Sequence, residues 1–154
     1  MIKHTVLTAF FLSLLSPLAS ADAEIQRLNP EGMYQPAGYR QVVTAEGGKT
    51  VYLAGQAGLG ADGSMPETLA EQAELTYENI RRALAAVGGS PSDVVRITVH
   101  IVGLGQGTDP APVYEAQGQF FPADAKPAST ILGISGLALP GLLVEVDVIA
   151  LVDG

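Results

Sequence analysis

The chain contains no cysteine. Disulfides, thiolate metal sites and cysteine nucleophiles are excluded at once. Histidine is nearly as scarce: only His4 and His100 occur, and His4 lies in a segment expected to be removed. A site built on several imidazoles is therefore excluded from the mature chain, and no metal is expected. Cations are few, with 8 Lys and Arg against 16 Asp and Glu, for a net charge of −8. No basic cluster could hold a phosphate backbone or an anionic bilayer, so neither nucleic acid nor a membrane surface is an expected partner. Repeats of roughly 20–50 residues are also missing, which excludes a solenoid. What is there is 154 residues, 47% apolar and 16% charged. That suffices for one globular domain with a sizeable core.

The first residues carry a targeting pattern. Lys3 and His4 give a positive start, Thr5–Leu15 is an apolar run, and Ala19-Ser20-Ala21 is a small-x-small site. This is the layout of a secretory signal peptide, cleaved after Ala21 or after Ala23. A retained anchor is the competing reading, but the run is short of the ~20 residues of a span and Pro17 follows it. The expected organisation is a signal peptide over 1–21 and one domain over 22–154. The expected location is periplasmic or secreted, without stable membrane association after cleavage.

Downstream, Ala23–Gly38 is an irregular lead-in with room for one short edge strand. Gln41–Ala45 and Thr50–Ala54 flank Glu46-Gly47-Gly48-Lys49 and predict a hairpin. Gly55–Gly63 is glycine-rich but lacks the Gly-Lys-Ser/Thr of a phosphate loop, so it reads as strand end and loop. Thr68–Val87 predicts an amphipathic helix: Thr68 and Glu71 have capping-box spacing, and Leu69, Ala73, Tyr77, Ile80, Leu84 and Val87 make one apolar stripe. Ser92–Val102 alternates as a strand, with Val95, Ile97, Val99 and Ile101 on one side and Arg96, Thr98 and His100 on the other. That second side is either a solvent face or a site. Val113–Phe121 predicts a second helix with Val113, Gln117, Phe120 and Phe121 inward. The last quarter, Pro127–Val152, has apolar runs at Thr130–Ile134 and Leu142–Val152 around Gly136, Pro140 and Gly141, and predicts a hairpin-like unit. Glu145 sits inside the second run, where a carboxylate is either paired or functional.

This order predicts an α+β fold, a mixed sheet with two helices on one face. The other face is expected to be apolar and to pack against further subunits.

Four blocks resemble the RidA (YjgF) family. They are VYLAGQAG at Val51–Gly58, EQAELTYENIRRALAAVGGSPSDVVRITVHI at Glu71–Ile101, VYEAQGQFFP at Val113–Pro122, and PASTILGISGLALPGLLVEVDVIA at Pro127–Ala150. The resemblance implies a chorismate-mutase-like fold and a homotrimer with small-molecule sites in clefts between subunits. It implies hydrolysis of reactive enamines and imines to a carbonyl compound and ammonia, with no cofactor. Residue by residue, it implies a site of Tyr39, Ala54, Gly55, Gln56, Tyr114, Ser129 and Ile131, with Glu145 orienting the attacking water.

The departures lie in that site. Ser129 stands where active members carry the arginine that grips the substrate carboxylate. Ala54 replaces a serine, Tyr114 an asparagine, and Ile131 a small polar residue or cysteine. The remaining cleft reads as more apolar and aromatic, suited to a neutral or aromatic ligand. Two functions compete: an exported imine deaminase of altered range, and a non-catalytic trimeric binding or chaperone-like module. Chorismate mutase proper rests on fold analogy alone. Glu145 is either catalytic or a structural carboxylate bonded to backbone or to a cation such as Arg96.

Overall fold

In the computed structural model, which describes residues 22–154, the long helix α1 runs over Leu69–Ala85. Thr68 is its N-cap: the hydroxyl accepts from the Glu71 amide, and the Glu71 carboxylate accepts from the Thr68 amide. Ala73, Tyr77, Ile80 and Leu84 are buried as the stripe predicts. Burial of Ile80 and of Leu84 contributes about 1.5–3 kcal/mol each. Val87 does not belong to the stripe. The helix has already ended, and the Gly89 amide closes back on the Leu84 carbonyl, leaving Val87 exposed. Two polar residues, Gln72 and Thr76, are buried on the same face. The expected signal segment lies outside the described residues.

The strands are β1 (Glu24–Leu28), β2 (Val42–Glu46), β3 (Lys49–Ala57), β4 (Val94–Val102), β5 (Ala128–Ile134) and β6 (Val144–Val152), with helix α2 (Ala111–Phe120) between β4 and β5. Four strands form the main sheet in the order β3-β6-β4-β5, and β1 pairs with β2 in a small second sheet. Only β4 and β5 are parallel neighbours in the main sheet, so it is mixed. Both helices pack over one face, in a single core with Ile97, Val99, Ile101, Val113, Phe120, Val144, Val146 and Val148.

Three expectations from sequence are corrected. The Gln41–Ala45 and Thr50–Ala54 segments are not partners: β2 pairs with β1, and β3 with β6. Gly47 and Gly48 (φ 67° and 54°) swing the chain from the small sheet into the large one, where β3 meets a nine-residue partner. A Cβ on Gly48 would stand 2.5 Å from the Val152 carbonyl oxygen. The C-terminal unit is not a hairpin either. β4 lies between β5 and β6, and the link between them crosses two strand spacings of ~4.8 Å. Finally, a register shift between Val94 and Arg96 puts Val94 in the core and leaves Val95 half-buried.

The face without helices is less apolar than expected. It carries Tyr52, Leu132 and Ile149, but also Arg96, Thr98, His100, Glu145 and Asp147. Tyr52 is 75% exposed and Leu132 44%, so the apolar part is real and unpartnered within one protomer.

Candidate functional site

The residues expected to act together fall into two groups at opposite edges of the main sheet. Tyr39, Tyr114, Ser129 and Ile131 line one cleft of 570 Å³. Its walls are the β5 edge, helix α2 and the loop before β2. Ala54, Gly55, Gln56 and Glu145 lie at the β3–β6 edge. The β3 and β5 edges are three strand spacings apart, ~14 Å.

The cleft is built on a tied-down frame. Tyr77, Phe120 and Phe121 form an aromatic cluster beneath it, with centroids 5.1 Å apart for Tyr77–Phe120 and 4.8 Å for Phe120–Phe121. Burial pushes the Tyr77 phenol well above its ordinary pKa, so it stays protonated and donates to Gln117 Oε1 at 3.2 Å. The Gln117 amide reaches the Gly38 carbonyl. The loop is held again where the Gln41 side chain donates to the Tyr34 carbonyl at 3.0 Å and the Arg40 amide to the Pro127 carbonyl at 3.0 Å. Tyr34 and Tyr114 stand at the mouth with exposed rings, and Tyr39 is half-buried. The Ser129 hydroxyl is buried in the wall without a hydrogen-bond partner among the described residues.

Lys126 also lines this cleft, and sequence reasoning passed over it. Its ammonium donates to the Ala37 carbonyl at 2.6 Å. It is the one lining side chain that is charged at neutral pH. The signal was available: a lysine three residues before Ser129, in a chain with only 8 Lys and Arg.

The other group is organised by close approach. β3 has its register break between Leu53 and Gln56, which leaves Ala54 and Gly55 as a bulge. The Gln56 side chain ties the bulge down, donating to the Ala54 carbonyl at 2.9 Å. Glu145 leans over Gly55, where a Cβ would stand 2.5 Å from Oε1. A larger residue at position 55 would displace the carboxylate from this placement. Glu145 is half-buried and has no side-chain hydrogen bond or ion pair among the described residues. Arg96 turns instead toward Thr130 Oγ1 at 3.5 Å. His100, opposite Glu145 in the β4–β6 register, is taken up by Asp147, Nε2 to Oδ2 at 3.1 Å.

Known proteins resemble this chain throughout the described domain. The family profile described as Endoribonuclease L-PSP matches residues 29–152. Protein DfrA of Myxococcus xanthus is 40% identical over 117 residues, covering 73% of this chain and 83% of that protein. YyfB of Yersinia pestis, a member of the conserved Rid protein family, superposes with a TM-score of 0.75 at 30% identity, covering 83% of this chain and 98% of that one. RidA from an Antarctic Psychrobacter gives 0.62 at 28% identity, covering 77% and 97%. With the α+β fold, the family match and these relatives in agreement, the chain belongs to the RidA (YjgF) family.

Proposed function

We propose that the protein is an exported imine or enamine hydrolase of altered substrate range, working as a homotrimer whose sites form between subunits. The observation that carries this reading is Glu145, seated on Gly55 and free of any side-chain partner among the described residues. A structural carboxylate in a sheet is expected to be paired. An unpaired, solvent-reachable one suits a general base. Water adds to the imine carbon while Glu145 takes its proton. That proton then goes to nitrogen, giving the carbinolamine; its hydroxyl proton follows by the same carboxylate to the same nitrogen, the C–N bond breaks as the C=O bond forms, and a carbonyl compound and ammonia leave.

One protomer does not bring its own cleft to its own Glu145, because Glu145 stands on β6, two strands from the β5 edge and on the face away from the helices, while Ser129 and Ile131 share the helix-covered face. A head-to-tail ring joins the cleft edge of one subunit to the β3 edge of the next, and a closed cyclic trimer completes three sites. The exposed Tyr52 and Leu132 would be covered in the process. The family profile's description names a ribonuclease, but a chain of net charge −8 is a poor host for an RNA backbone. Export rests on the start of the sequence. Cleavage after Ala21 would keep the Ala23 amide bonded to Asp153 Oδ1 at 3.0 Å.

The chemistry and the location and assembly are tested separately. For the chemistry, ammonia release is followed from a panel of imines generated in situ by an amino-acid oxidase. Glu145→Gln should lower kcat by roughly 10²–10⁴-fold, the usual contribution of a general base, with the fold intact. Turnover unchanged in that variant would remove Glu145 from the reaction. A ligand that raises the melting temperature with no turnover on any imine would identify a binding module instead. For location and assembly, intact mass of the exported protein should begin after Ala21 or Ala23, and light scattering should give three times that mass. A protein still carrying residues 1–20, or a stable monomer at micromolar concentration, contradicts the corresponding claim.

A further inference from the structure

The charge and shape of the cleft narrow its ligand beyond the hydrolysis itself. Its lining holds one charged side chain, Lys126, and no carboxylate, in a protein whose net charge is −8. Among the described residues no carboxylate lies within ion-pair distance of Lys126. Its ammonium makes one hydrogen bond, to the Ala37 carbonyl, and an ammonium has three N–H donors. Two are left to point into the space. The ammonium bond is exposed to solvent, so water holds the remaining donors until a ligand anion takes its place. Four aromatic residues, Tyr34, Tyr39, Tyr114 and Phe121, border the cavity among smaller and aliphatic ones. At 570 Å³ it is within the usual range for a ring-sized or larger ligand. The buried Ser129 hydroxyl next to this wall has no partner among the described residues, and a ligand that opens the wall slightly would give it one.

We infer that the cleft takes an aromatic carboxylate, its ring against the tyrosines and its anionic group on Lys126. This rests on reading the cleft as the ligand site of the proposed hydrolase, and it assigns to Lys126 the charge that Ser129 does not supply. It also revises the sequence-based expectation of a neutral ligand. The inference keeps the aromatic ligand of that expectation and replaces the neutral one, which was drawn without Lys126. The substrate class that follows is an imine or enamine bearing an aromatic ring and a carboxylate.

Binding of stable probes separates this from the hydrolysis. Calorimetric titration of the full mature protein compares 3-phenylpropanoate, its uncharged isostere 3-phenylpropanamide, and propanoate. The acid should bind roughly ten- to a hundredfold more tightly than the amide, as a charge-assisted hydrogen bond requires, and more tightly than propanoate. Lys126→Gln keeps a donor for the Ala37 carbonyl but removes the charge. It should erase the preference for acid over amide and leave amide affinity unchanged. Lys126→Arg should retain the preference, and Tyr114→Ala should weaken acid and amide alike. Equal affinity for acid and amide, a preference that survives Lys126→Gln, or no binding of either at millimolar concentration overturns the inference. If the acid preference holds while no imine is turned over, the ligand class stands and the hydrolysis falls. If imines are turned over without any acid preference, the reverse is true.

Discussion

Replacing Gln72 with leucine lowers the melting temperature by roughly 10–20 °C. Gln72 is fully buried near the start of α1, and all of its amide is used. Nε2 donates to the Pro66 carbonyl at 2.9 Å and to the Gly141 carbonyl at 2.8 Å, while Oε1 accepts from the Leu143 amide at 2.8 Å. Leucine is close in volume, so packing loss is small and the cost is polar. Each backbone group stranded away from water costs about 1–3 kcal/mol. The Pro66 and Gly141 carbonyls are near enough to solvent to be rewetted, so the sum is about 3–5 kcal/mol rather than the full arithmetic maximum. That is a large share of the ~5–15 kcal/mol of a typical domain. The change reaches the site too, because Leu143 is two residues before Glu145 and Gln72 fixes where β6 begins. Thermal melts of the variant beside an exposed control, Glu71→Gln, check this. A loss under 1 kcal/mol would show that water or a rearranged loop replaces the amide without penalty.

Gln72 also illustrates what the sequence could and could not display. The helix containing it was legible up to its last turn, because capping box, apolar stripe and trailing glycines are local features that agree. The role of Gln72 was not, since its partners at Gly141 and Leu143 lie about 70 positions away. The strands themselves were legible from β-branched alternation, but their pairing was not. Alternation fixes which side chains share a face and says nothing of which strand lies beside which. Sequence neighbours were therefore joined as hairpins, where the fold inserts β4 between β5 and β6. The site followed the same rule. Its expected residues came from the family's motifs, but their division between two parts of the sheet depends on strand order. Lys126 was missed because it lies in a connecting segment whose spacing carries no motif, and only the loop over Ala37 brings it to the cleft.

If the proposed hydrolase has Ser129 where active members carry arginine, as the residue-by-residue resemblance implies, the protein should hydrolyse 2-aminoacrylate roughly thirty- to several-thousand-fold less well than a family member that carries the arginine. The range corresponds to the ~2–5 kcal/mol lost when one partner of a buried, hydrogen-bonded charge pair is removed, at about 1.4 kcal/mol per tenfold. Serine supplies a hydroxyl but no charge, and here that hydroxyl is buried in the wall. Lys126 does not cancel the loss for so small a substrate. Its ammonium is anchored at the Ala37 carbonyl, on the loop side of the cleft, and a three-carbon acid fills little of 570 Å³. Held at Lys126, such an acid would have no body to span the cleft toward the neighbouring Glu145 of the proposed trimer, whereas a substrate with a ring would. Arg96 offers no rescue within the protomer, because it lies on the other face of the sheet, against Thr130. The measurement is ammonia or keto-acid release from 2-aminoacrylate generated in situ by a dehydratase. Its partner is Ser129→Arg, which should restore at most a trace. Tyr114 still occupies the mouth with an exposed ring, and Ala54 still provides no hydroxyl at the β3 bulge. Turnover of 2-aminoacrylate by the natural sequence at the rate of an arginine-bearing relative would mean that this cleft grips a small carboxylate by some group other than a guanidinium at position 129.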